Sequence, residues 1–174
     1  MSAFVRGMSV VAMAALPWIA LPAAAAEWVP GGSFDPALGV ATYFLRYVAA
    51  EPGQMVIRCM AGEGVTIDAG ATGAGPPPAG VKRDTAVDAT FILYKAGQTA
   101  PAGSFRGSGL PRSRADNSIV VTVGGGEIDG MAKLLLLPLD HIDITIADAK
   151  ASVSMDGAAD KVARIASACP GWPK

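Results

Sequence analysis

The sequence predicts a mainly β member of the α+β class: one antiparallel sheet or sandwich carrying a C-terminal helix that a disulfide docks onto it. Three observations carry that expectation. Short runs rich in β-branched and aromatic residues recur between turns containing Gly and Pro. The hydrophobic period changes from two to that of a helix in the last stretch, over residues 156–169. Two cysteines, Cys59 and Cys169, fall on an early strand pattern and on that final helical pattern. A composition of 51% hydrophobic and 17% charged residues is too apolar for a disordered chain, and its many Gly and Pro interruptions exclude a multi-span membrane protein.

The first 26 residues read as a secretory signal peptide. Arg6 supplies the one positive charge, residues 8–21 are almost wholly apolar, and Ala24-Ala25-Ala26 offers the small-residue cleavage pattern before Glu27. The apolar run is shorter than the roughly 20 residues a membrane span needs, and Pro17 and Pro22 interrupt it. No stable membrane anchor is therefore expected after cleavage. Residues 27–174 are left as one exported, periplasmic domain. The 14 basic and 15 acidic side chains nearly cancel, which gives no basis for nucleic-acid binding. In an oxidising compartment Cys59 and Cys169 are expected to pair, since they make no C-x-x-C and have a single His in the chain for a metal partner.

Along the domain, residues 42–48 (TYFLRYV) and 55–60 (MVIRCM) read as a hairpin across Glu51-Pro52-Gly53-Gln54. In the second strand Ile57 and Cys59 share the inward face and Arg58 the other. A short strand over 65–69 follows, then a surface loop over 70–80 with Pro76-Pro77-Pro78. Residues 87–95 (VDATFILYK) are the strongest strand, 104–106 and 118–123 continue the meander, and 127–137 form a short helix stopped by Pro138. Ile142, Ile144 and Ile146 alternate with Asp143 and Thr145, and 151–155 is the hairpin partner across 147–150. Asp156 caps the last helix, in which Val162, Ile165, Ala166 and Cys169 form one apolar stripe ended by Pro170-Gly171.

Chemistry-bearing residues are few. His141 stands between Asp140 and Asp143, as a general base would, but it shares the polar face of its strand with Asp143 and no G-x-S-x-G nucleophile context accompanies it. Gly124-Gly125-Gly126 precedes a helix without meeting G-x-G-x-x-G, because Asp129 stands where the third Gly belongs. These read as a solvated face and as turn glycines, so no catalytic residue, metal site or cofactor is expected. Lys82-Arg83 and the pair Arg112 and Arg114 lie in loops where guanidinium groups suit anionic groups of a partner. Trp28 and Trp172 are large apolar side chains in segments of weak periodicity, expected to pack on the sheet and to become partner contacts if exposed.

The order of a leader, V-I-R-C (residues 56–59), T-F-I-L-Y (90–94), an amphipathic strand pair and M-D-G-A-A-D-K-V-A-R-I-A-S-A-C-P-G-W (155–172) resembles small exported proteins of Gram-negative bacteria of the type VI secretion-associated VasI type. That resemblance implies a Cys59–Cys169 bridge and an envelope setting. The functional expectation is a non-enzymatic periplasmic module that binds or supports another cell-envelope protein. A small-ligand carrier with an apolar cavity between sheet and helix, and a small hydrolase around His141, are the alternatives.

Overall fold

The computed structural model describes residues 26–49, 54–71, 84–113 and 119–174. Residues 1–25 of the leader, 72–80 of the Pro-rich loop, Lys82-Arg83 and Arg114 lie outside them, as does most of the turn expected at 51–54, while Gly70 and Ala71, expected to open that loop, are strand. Six strands build a larger sheet: β1 (Glu27–Asp35), β2 (Val40–Val48), β3 (Gln54–Met60), β4 (Gly64–Ala71), β7 (Pro111–Ser113) and β8 (Ile119–Gly124), ordered β1-β2-β3-β4-β8-β7. The smaller sheet runs β10 (Ala149–Ser154), β9 (Leu139–Ile146), β5 (Val87–Lys95), β6 (Pro101–Gly109). Every pairing is antiparallel. Helix α1 (Glu127–Leu134) packs on β6, β4 and β8, and α2 (Ala159–Ala168) packs on β2.

The mainly β, two-layer architecture with a disulfide-docked final helix is the one the alternation predicts. A single continuing meander is corrected. After β4 the chain leaves for β5 and β6, returns for β7 and β8, and leaves again through α1 for β9 and β10. Alternation identifies an apolar face, but not which other face will cover it. Here Ile57, Ile67 and Val121 of the larger sheet meet a layer containing Phe91, Leu93, Ile142 and Ile144, all within one continuous core and at most 1% exposed. Each such side chain contributes about 1.5–3 kcal/mol by leaving water. The close crossing of β6 over β8 needs glycine: a Cβ at Gly107 would sit 2.7 Å from that of Val123, and one at Gly109 would strike the Thr122 carbonyl.

Several local expectations change. Residues 27–35 lack alternation, yet they form β1, a nine-residue edge strand. The piece over 104–106 lengthens to Pro101–Gly109, and the polar loop after it contains the three-residue β7. Helix α1 stops at Leu134, with Leu135 and Leu137 in the turns that follow donating to the Met131 and Leu134 carbonyls. Asp156 does not cap α2; the cap position is Ala158, with no side-chain hydrogen bond, while the Asp156 N–H donates to Ser154 Oγ at 3.2 Å. The β9–β10 connection is two residues, because Ala149 and Lys150 already pair with Ile146 and Thr145. The first of those two, Ala147, has φ of 51°.

The smaller sheet lies over β4 and β8, and α2 covers part of the inner face beside them by packing on β2. The bridge Cys59–Cys169 joins β3 to the residue that ends α2, with Cα atoms 6.2 Å apart and 110 residues between them in sequence. A ten-residue helix is marginal alone in water, so its place depends on this packing and on the crosslink.

Two outcomes are expected in chemical denaturation. The Cys59→Ser/Cys169→Ser double variant should lose about 3–5 kcal/mol, the unfolded-chain entropy that a loop of this length removes. Ala147→Gly should gain about 0.5–1 kcal/mol, because relief of the left-handed backbone outweighs the extra freedom of the unfolded chain.

Candidate functional site

Arg112 is one end of a polar line across the outward face of the larger sheet. Register places Asp68 of β4 opposite Thr122 of β8, while Ile67 and Val121 point inward. Arg58 Nη2 meets Asp68 Oδ2 at 2.5 Å, Thr122 Oγ1 donates to Asp68 Oδ1 at 2.7 Å, and Arg112 Nη2 donates to Thr122 Oγ1 at 2.6 Å. Both carboxylate oxygens are thus engaged on a residue only 7% exposed, although it faces outward. One carboxylate stands between two guanidiniums, and Arg46 lies on the same face opposite Val56. The line tethers β3, β4, β8 and β7 across their ladders.

A second arrangement lies at the opposite edge. The free side of β1 and one side of α2 enclose an open groove of about 460 Å³, lined by Pro30, Gly31, Gly32 and Tyr43 below and by Lys161, Arg164, Ile165 and Ala168 above. The four helix residues follow the spacing of one helical face. The two glycines shape the floor. The Phe44 ring occupies the outward side of Gly31, where a Cβ would collide with it, and the absence of a side chain at Gly32 leaves the inward side open above β1. Lys161 Nζ donates to the Trp28 carbonyl at 2.5 Å and lies 4.0 Å from Glu27 Oε1. At the other end the hairpin tip projects, with Phe34 65% and Leu38 74% exposed. Asp35 Oδ1 holds that tip by accepting from the Ala37 and Leu38 N–H groups.

The strand directions around this groove follow from two observations. The Trp28 carbonyl accepts from the Lys161 side chain of α2, as a backbone group turned to the open edge of the sheet would. Pro30, two residues on, has no N–H to offer and suits the same outward position. By alternation Gly32 and Phe34 also turn their N–H and C=O groups to the open edge, and no partner holds them among the described residues.

Trp28 and Trp172 are not available as contact surfaces. Trp28 is 1% exposed, packs on Tyr47 with ring centroids 5.2 Å apart, and donates Nε1–H to the Ser154 carbonyl at 2.8 Å. It therefore pins the edge of the larger sheet to the end of β10. Trp172 is buried beyond α2, its backbone N–H donating to the Cys169 carbonyl at 3.1 Å. His141 faces outward on the smaller sheet, stacked on Tyr94 at 4.4 Å, with Nδ1 2.7 Å from Asp140 Oδ2 and Nε2 3.9 Å from Asp143 Oδ1. Its partners among the described residues are two carboxylates and a phenol ring. Among the described residues no three His, Cys, Asp or Glu side chains gather as metal ligands would. No described helix is long and apolar enough to cross a membrane.

Comparison with protein families, with curated proteins and with solved structures finds no match to this chain.

Removing the shared carboxylate tests the outward polar line. Asp68→Ala should cost about 1–3 kcal/mol in chemical denaturation, since it strands the partly covered Arg58 guanidinium and the Thr122 hydroxyl. Arg112→Ala, at the exposed end, should cost less than about 1 kcal/mol.

Proposed function

We propose that the protein is a non-enzymatic, exported binding module for another cell-envelope protein, engaged through the β1–β2 hairpin and the groove beside α2. The observation that carries this reading is the open β1 edge flanked by the exposed Phe34 and Leu38. Proteins blunt long strand edges because unpaired backbone groups invite pairing with another chain. An edge of nine residues left beside a groove and exposed apolar side chains therefore has the form of a receptor for extended chain. The Cys59–Cys169 bridge, the apolar leader and the likeness of the 155–172 segment to exported proteins of the VasI type support a periplasmic setting.

The groove also favours a second reading, a carrier of small apolar acids, because it is an apolar cavity between sheet and helix with two cations on its wall. Site-specific photocrosslinking in intact cells separates the two. A photoreactive residue at Leu38 should capture one reproducible envelope protein, while the same probe at Asp143 on the far sheet should not. Equal capture from both positions, or none from Leu38 together with a small molecule retained in native mass spectrometry, would sink the protein-binding reading in favour of the carrier.

A further inference from the structure

We infer that the groove between β1 and α2 takes the free C-terminal end of an extended partner segment, laid antiparallel to β1 with its terminal carboxylate on Arg164 and Lys161. The inference rests on the binding-module reading and adds the chemistry of what is bound. Its first support is the edge itself: the Pro30 carbonyl and the N–H and C=O groups of Gly32 and Phe34 face outward, in the pattern that an added strand reads. From Pro30 to Phe34 the edge spans roughly 13 Å, room for about four or five residues of extended peptide.

One end of that edge is closed. Lys161 reaches across to the Trp28 carbonyl, so an added strand cannot continue past it and must stop there. The charges then say which terminus stops. Both charged side chains lining the groove are cationic, Lys161 and Arg164, and Arg164 has no ion pair among the described residues. Glu27, 71% exposed and 4.0 Å from Lys161, competes weakly for it. At the other end stands Asp35, whose carboxylate would repel a terminal carboxylate and tolerate an incoming chain. A C-terminus at the Lys161 end makes the peptide antiparallel to β1, as every neighbour in this sheet already is. The open space above Gly32, walled by Tyr43, Ile165 and Ala168, takes an apolar side chain of the bound segment.

The test is selection of random heptapeptides displayed with free C-termini on the full-length disulfide-bonded protein, followed by synthesis of the enriched sequence as acid and as amide. The acid is expected to bind, and amidation or Arg164→Glu to weaken it roughly tenfold or more, the usual effect of losing one charge-assisted hydrogen bond. Gly32→Pro removes an outward N–H, with its Cβ 3.3 Å from the Thr42 carbonyl of β2, and should abolish binding. Glu27→Gln should strengthen it a few-fold. Near-UV circular dichroism of each variant separates lost binding from lost fold, and Arg164, exposed on α2, is the variant that stands if Gly32→Pro does not fold.

Acid and amide binding equally, or enriched peptides indifferent to Arg164→Glu, would overturn the carboxylate assignment. Failure to enrich any peptide, or a concentration-dependent dimer that Arg164→Glu abolishes, would overturn the proposal as a whole. The Leu38 crosslink to an envelope protein could survive each of these results, which keeps the failure of the ligand chemistry distinct from failure of the module reading.

Discussion

A six-stranded sheet cannot be covered by a four-stranded one, and the rest of this fold answers that mismatch in width. The smaller sheet covers β4 and β8, and α2 supplies the remainder of the second layer over β2 and its neighbours. Of the inward side chains, Tyr43 lines the groove with Ile165 and Ala168 of α2, and Cys59 is bonded to the residue that ends it. The helix itself buries only Val162 and Ile165 within its span, with Ala158, Cys169 and Trp172 at its flanks. So little apolar surface would not hold ten residues helical in isolation. The Cys59–Cys169 bond fastens the C-terminal end of α2, while Lys161 and the Trp28–Ser154 hydrogen bond fasten the region of its start. The groove wall is thus the same element that closes the core, and neither can shift without the other.

The sheet edges show where the molecule is guarded and where it is left open. Strand β7 has only three residues, β10 carries Lys150, and β6 lies under α1. These are common ways of making an edge unsuitable for pairing. Strand β1 is as long as any strand in the molecule, and its protection is partial: Pro30 removes one donor and Lys161 occupies one acceptor, both toward its start. Toward the hairpin tip the edge has no such device. The outward polar line of Arg58, Asp68, Thr122 and Arg112 lies on the far side of the same sheet, and contributes rigidity to the strands that β1 and β2 lean on.

Much of the fold was legible because burial on one face leaves a period of two in the sequence. The bounds of β5 coincide with the run VDATFILYK, and Ile142, Ile144 and Ile146 all point inward as their alternation requires. Cys59 with Ile57 on the inward face was readable for the same reason, while Cys169 was placed by the helical period of Val162 and Ile165 and lies one residue past the end of α2, in extended backbone. Strand β1 was not, because an edge strand can hold Pro30 and two glycines where a central strand could not, and those residues erase the pattern. The crossing between sheets was hidden too, since periodicity marks a face but not its cover. The groove escaped because its floor is defined by a missing side chain at Gly32. Only the stripe of Lys161, Arg164 and Ala168 beside the buried face of α2 hinted at a second helical surface.

The order of the chain gives the disulfide a temporal meaning. Cys169 follows Cys59 by 110 residues, and α2 is the last element, whereas β1 and β2 are the first. A chain emerging N-terminus first leaves those strands waiting for the helix that covers them. With two cysteines in the whole sequence, no wrong bridge can form within one molecule. The hazard in biogenesis is therefore the wait: a half-built sheet with a bare apolar face and a long unpaired edge, exposed to every neighbouring nascent copy until its final turns arrive.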